Sequence, residues 1–267
     1  MKAGITQLCL ARADLETDLQ LTKARGYDAI ELVFSDTGHP SIDAAPAELD
    51  AIKSACQRLG LDICSILPTR RDAGSLLSSV AAERSKRIAI LRRGLEIAER
   101  LGVDALLLHP GQLEAGTTYE ETWINCRDAL RALVPEAERR RCAIAVENVW
   151  NKFLLSPREA RQFVDEVGSP YVGIYLDTAN MVFYGFPEMW VRDLGTRIKK
   201  VHVKDFRRRD SAWVQLMDGD VDWPAVMGEL RAIGFDGALV SEVGGDDGMQ
   251  RETVARIRRI MEVGVRG

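Results

Sequence analysis

Long apolar runs are missing from this 267-residue chain. No stretch of about 18 consecutive apolar residues occurs, so no membrane-spanning helix is expected. Cysteine is sparse: Cys9, Cys56, Cys64, Cys126 and Cys142 are odd in number and lack a CxxC spacing. That argues against a disulfide scaffold; each is read as a reduced, small hydrophobe in a cytoplasmic protein. Excess positive charge is lacking too, since 36 Lys and Arg face 40 Asp and Glu for a net charge of −4. A nucleic-acid-binding surface is therefore not expected. Only three histidines occur, His39, His109 and His202, too few for a multi-histidine polynuclear metal centre. The opening MKAGITQLCLARAD has no apolar core of the kind a secretory leader carries. No low-complexity stretch or linker divides the chain.

What is present is an alternation of strand-like and helix-like segments from end to end. Eight short apolar runs read as strands: 3–10, 29–34, 62–67, 105–109, 143–147, 172–177, 198–203 and 238–242. Most are continuously apolar, as expected of parallel strands covered on both faces. Helices are expected over 15–25, 46–59, 85–101, 119–140, 156–167, 187–194, 223–233 and 249–263. Pro135 is expected to bend or split the fourth. Ser156, Pro157 and Glu159 form a capping-box start to the fifth. ARGYDAIEL, CQRLGLDIC, ERLGVDALL and RAIGFDGAL repeat one turn: helix end, Gly, apolar residue, Asp, strand. Four copies of one turn support a single (βα)8 TIM barrel domain over residues 1–267. The longer connections, 67–79, 109–118, 178–186 and 204–221, all follow strands. Active sites of such barrels lie at that end.

Four consecutive strands end in a carboxylate or an imidazole: AIAVE at Glu147, VGIYLD at Asp177, IKKVH at His202 and ALVSE at Glu242. In one parallel barrel these four tips converge at one mouth. Three carboxylates and one imidazole suit a hard divalent cation, Mn2+ first, with Mg2+, Co2+ and Zn2+ also fitting. Two carboxylates beside a chelated α-hydroxy ketone form an acid–base pair. Glu147 and Glu242 would remove a carbon-bound proton from one face and return one to the other, through an enediolate. Each residue alone has a plainer reading as a helix cap or surface ion-pair member; their joint placement carries the argument.

AVENVWNKFLLSP, GIYLDTAN, IKKVHVKDF, GDVDWPAVMGELRAIGFDG, SEV and GYDAIELVFSDTG resemble the sugar phosphate isomerase/epimerase superfamily, the xylose isomerase-like barrels. The resemblance spans nearly the whole chain and implies a ketose 3-epimerase-like site. Its metal ligands match Glu147, Asp177, His202 and Glu242, with the outer two as the catalytic pair. Arg208 looks like the substrate-holding arginine of ketose 3-epimerases. Two positions depart from the free-ketose enzymes. Asn180 stands where they carry histidine, and Phe153 and Leu154 where they carry a substrate-contacting glutamate. Asp177-x-x-Asn180 looks more like the ketopentose-phosphate 3-epimerases. Family members are often dimers or tetramers, which implies a homodimer or homotetramer here.

Further substrate-binding candidates are His109 and Glu31 at strand ends, Asn180 three residues after Asp177, and Lys204 in the basic run with Arg207, Arg208 and Arg209. That run and Gly244–Gly245 suit a phosphate, and a solvated charge run is the plainer alternative. Asn148, Asn151 and Lys152 are expected to orient Glu147. The expected substrate is a small ketose or ketose phosphate. The rivals are an aldose–ketose isomerase, an inosose-type dehydratase, an apurinic-endonuclease-like enzyme and a non-catalytic sugar-binding barrel.

Overall fold

The computed structural model describes residues 1–10 and 14–264. In chain order its elements are β1 (Lys2–Thr6), α1 (Leu15–Ala24), β2 (Ala29–Phe34), α2 (Pro46–Leu59), β3 (Asp62–Pro68), α3 (Ala81–Leu101), β4 (Ala105–Leu108), α4 (Tyr119–Arg140), β5 (Ala143–Glu147) and α5 (Pro157–Val167). Then follow β6 (Val172–Asp177), α6 (Thr178–Val182), α7 (Pro187–Leu194), β7 (Ile198–Val203), β8 (Asp205–Arg207), β9 (Ala212–Val214), α8 (Trp223–Ala232), β10 (Ala238–Ser241) and α9 (Asp247–Glu262). Eight strands close into a parallel barrel in the order β1, β10, β7, β6, β5, β4, β3, β2. The chain therefore forms the (βα)8 barrel that the repeated turn implied.

The helix ends follow local chemistry. Gly60 and Gly102 take the left-handed conformation, with φ of 62° and 80°, and close α2 and α3. Only a residue without Cβ adopts it at little cost. The Ser156 hydroxyl accepts from the Glu159 N–H while the Glu159 carboxylate accepts from the Ser156 N–H, giving α5 its capping box. Pro135 does not split α4, which runs as one helix of 22 residues. Trp123, Cys126, Leu130, Leu133 and Ala137 are buried along it, and that apolar stripe outweighs the one main-chain hydrogen bond a proline forfeits. The first strand stops at Thr6, short of the expected Leu10, because a 3-10 turn follows at Gln7–Cys9. There the Gln7 side chain accepts from the Val33 N–H and donates to Asp18, turning the chain off the sheet.

Alternation along each strand sorts the side chains. Ile30, Leu32, Ile66, Leu106, Ile144, Val146, Ile174, Leu176, Val201 and Val203 belong to the main core under the helices. Val33, Leu67, Leu107, Ala145 and Tyr175 form a separate cluster inside the barrel. Residues two apart share a face. Glu147 thus follows Ala145 to the interior, and Asp177 follows Tyr175. Two bulges keep neighbouring strands in step. Ile174 pairs with Ile198 but Tyr175 with Lys200, leaving Lys199 unopposed, so that Asp177 lies directly across from His202. Likewise Ile30 pairs with Ile63 but Glu31 with Ser65, leaving Cys64 unopposed. Each bulge resets which residues point inward.

Candidate active site

Glu147, Asp177 and His202 come from three adjacent strands, and Glu242 stands one residue beyond β10, the next strand round. One ligand atom from each of the four lies within 4.8 Å of the others. His202 and Asp177 are fully buried, Glu147 is 3% exposed, and Glu242 keeps an opening to solvent with a side chain 19% exposed. Glu147 and Glu242 therefore flank an Asp177–His202 pair at the floor of the mouth.

The residues fit a divalent cation. Asp177 Oδ2 is buried and accepts no hydrogen bond, although the Lys204 ammonium lies 3.0 Å away. Burial, together with the nearby Glu242 and Glu147 charges, pushes the Asp177 carboxyl up to about 6 against the lowering effect of Lys204. An acid crowded this way is relieved by added positive charge. His202 presents Nδ1 to Glu147 Oε1 at 3.2 Å and to Glu242 Oε2 at 3.9 Å. Its other nitrogen, Nε2, lies 3.1 Å from Glu31 Oε1.

That second contact relocates Glu31. The residue is fully buried beneath His202, where its Oε2 accepts from Ser65 Oγ at 2.7 Å. Tyr175 OH lies 3.1 Å from the same Ser65 Oγ, and its ring packs 4.3 Å from the imidazole. Glu31 thus orients the His202 imidazole and is not part of the open cleft. Burial raises the Glu31 carboxyl, but His202, Ser65 and Tyr175 outweigh it and hold it below the usual range. Burial would lower His202, yet Glu31, Glu147 and Glu242 carry it well above an ordinary imidazole. Glu31→Gln is expected to weaken divalent-cation binding at least about ten-fold, as measured by isothermal titration calorimetry.

The other candidates fall on the same rim. His109 Nε2 is hydrogen-bonded to Glu147 Oε2, so Glu147 is held between two imidazoles. Burial would raise Glu147, and those two partners bring it far below the usual carboxylate range. Lys204 Nζ lies 2.5 Å from Glu242 Oε2 and 5.0 Å above the Trp213 ring. The Asn180 side-chain amide donates one of its two hydrogens to the Asn148 carbonyl at 2.9 Å. Asn148 does not orient Glu147 as expected. Its amide brackets the next strand, accepting from the Asp177 N–H at 2.8 Å and donating to the Asp177 carbonyl at 3.0 Å. Asn151 donates to the Gly111 carbonyl instead, tying the loop after β5 to the loop after β4. The Arg208 guanidinium donates to the carbonyls of Val182 (2.7 Å) and Gly185 (2.6 Å) and lies 5.0 Å over Phe186.

Sequence reasoning passed over Asp205. Its buried carboxylate accepts from the N–H groups of Phe206, Met217 and Val221 and from Trp223 Nε1, and so organises the 204–221 connection. The β8–β9 hairpin also escaped, because strands of three residues carry no periodicity. A cavity of about 400 Å³ at the opposite end of the barrel is lined by Lys2, Asp62, Asp104 and Lys200, whose charges pair with one another.

Comparisons with known proteins bear on this geometry. Residues 19–261 match the model of the xylose isomerase-like TIM barrel family. The chain is 30% identical over 211 residues to a 2-epi-5-epi-valiolone 7-phosphate 2-epimerase of Actinoplanes sp., covering 76% of this chain and 72% of that protein. It is 24% identical to the L-ribulose-5-phosphate 3-epimerase UlaE of Salmonella paratyphi C, over 84% of this chain and 80% of the relative. Among solved structures, that of a D-tagatose 3-epimerase-like protein superposes with a TM-score of 0.84 at 21% identity, covering 98% of each chain.

Proposed function

Since the chain belongs to the xylose isomerase-like TIM barrel family, we propose that it is a metal-dependent epimerase inverting C3 of a ketose or ketose phosphate. It is an enzyme of the carbohydrate isomerase and epimerase class, the class of its named relatives. One observation carries the finer reading: Glu147 and Glu242 flank Asp177 and His202 within a single cluster open to solvent on the Glu242 side.

Glu147, Asp177, His202 and Glu242 would hold the cation, Mn2+ being the first ion to test. When bound, it supplies positive charge opposite the ketone oxygen as that oxygen gains electron density. The residues do the rest. Glu147, kept ionised by two imidazoles, is a carboxylate ready to accept a proton. Glu242, held by the Lys204 ammonium, is its counterpart on the other flank. One takes the proton from the carbon beside the ketone; the other delivers a proton to the opposite face, and the centre inverts. Lys204 and Arg208 rim the cleft as candidates to hold the rest of the sugar. The five cysteines are all unpaired, which supports a reducing, cytoplasmic setting, and assembly as a homodimer or homotetramer is part of the same reading.

The test is a panel of ketoses and ketose phosphates incubated in D2O with the Mn2+-loaded protein and followed by NMR. Deuterium is expected at C3 with growth of the C3 epimer. Label at C1 or C2 would point instead to an aldose–ketose isomerase. Loss of water would indicate a dehydratase. Binding without exchange for every sugar would mark a non-catalytic barrel.

A further inference from the structure

Aromatic residues are scarce in this chain, yet they gather beside the cluster. Trp150, Phe183, Tyr184 and Trp213 are between 40% and 51% exposed. The Trp150 ring lies 5.1 Å from Trp213, 5.4 Å from Phe183 and 6.4 Å from Tyr184. Buried Phe206 backs Trp150 and Trp213 from below at 5.5 and 5.1 Å. Trp150 is pinned by its Nε1–H, which donates to the Asn180 carbonyl at 2.9 Å. Trp213 is pinned by the hairpin, and Lys204 lies over one face of its ring at 5.0 Å. Large exposed rings held rigid by hydrogen bonds and a buried base are costly to leave in water, and such patches mark binding surfaces.

Two observations name the occupant. First, the platform reaches the catalytic cluster through Trp213. Trp213, Lys204 and Glu242 line one cavity of about 290 Å³, together with Gly244 and Met249. A ring stacked on Trp213 therefore lies beside the Glu242 carboxylate and belongs to the reacting molecule. Second, the platform offers little to an anion. Its surface is made of indole and phenyl rings, and two arginines of the nearby basic run are engaged, Arg207 with Asp210 and Arg208 with two main-chain carbonyls.

We propose that Trp150 and Trp213 form a stacking subsite for a second, neutral sugar ring. The preferred substrate class is then an uncharged, glycosylated ketose rather than a ketose phosphate. This rests on the epimerase reading for which ring reacts. The C–H face of a pyranose lies flat on an indole, buries apolar area and leaves its hydroxyls to water, so the subsite selects for a ring without demanding buried polar partners.

The test is equilibrium binding to the Mn2+-loaded protein by calorimetry, with isomaltulose and lactulose against fructose and fructose 6-phosphate. Both disaccharides are expected to bind at least ten-fold tighter than fructose and than fructose 6-phosphate. In Trp213→Ala and Trp150→Ala that preference is expected to collapse to within about two-fold. Trp213→Leu, which keeps apolar bulk for the hairpin, is expected to lose it as well. Fructose or its phosphate matching the disaccharides would overturn the proposal, as would a preference that survives all three substitutions. So would a Trp213→Ala protein that changes only its oligomeric state by light scattering, since the platform would then join copies of the chain. Failure of the epimerase reading is separable: it appears as unlabelled C3 in D2O, whereas the binding preference requires no turnover.

Discussion

Glu242→Gln is expected to lower kcat for epimerisation by about 10²- to 10⁴-fold while the thermal midpoint stays within a few degrees of wild type. The amide matches the carboxylate in size but neither takes nor gives the proton. Glu242 is also the member of the cluster with the most solvent access, and its contact with Lys204 is supported by a second one from Lys204 to Asp177. The fold should therefore survive the change. A sharper signature follows from the two-carboxylate arrangement. From the epimer whose proton faces Glu147, the variant is expected still to exchange C3–H with D2O, with retention and no inversion. From the other epimer it is expected to exchange nothing. Glu147→Gln should show the mirror pattern. It should also lose stability, because His202 loses an anionic partner in a buried setting. Wild-type turnover in either variant would dismiss the carboxylate pair.

Removal of the cation is the second large effect. Dialysis against EDTA is expected to abolish turnover, and Mn2+ is expected to restore it. Stability should follow by mass action: an ion at about 100 times its Kd adds about 2.7 kcal/mol, or about 5–10 °C in Tm for a chain of this size. The gain originates in three carboxylates packed against one imidazole, with the Asp177 carboxyl pushed up to about 6 by burial and its neighbours. Asp177→Asn, which removes one of those charges, is expected to shrink the Mn2+-induced rise in Tm seen by scanning calorimetry. An unchanged Tm with and without the ion, together with full activity in EDTA, would refute the assignment.

The barrel could be read before folding because parallel strands buried on both faces are written as unbroken apolar runs. The segments 143–147 and 172–177 needed no tertiary information to find their ends. The four polar tips could be read for a related reason: Glu147 and Asp177 are the last residues of their strands, and His202 and Glu242 lie within one residue of the ends of theirs. What stayed hidden depends on pairing between distant strands. Glu31 and His202 are 171 positions apart, and only closure of the barrel puts one beneath the other. Asn148 looked like a companion of Glu147 by adjacency, but its side chain turns away from its own strand and clamps Asp177 on the next. The aromatic platform is drawn from three loops, and no single segment of sequence announces it.

The two bulges carry a consequence for how such a barrel tolerates change in length. Along β6 each residue's side of the wall is set by odd and even, so excising Leu176 would swing Asp177 out under the helices and put Thr178 in its place at the mouth. Lys199 and Cys64 have no opposite number in the ladder. They are the places where one residue can be lost without flipping the parity of everything downstream. Length variation within the wall is thus confined to two positions, both at the end remote from the chemistry, while the mouth keeps its frame.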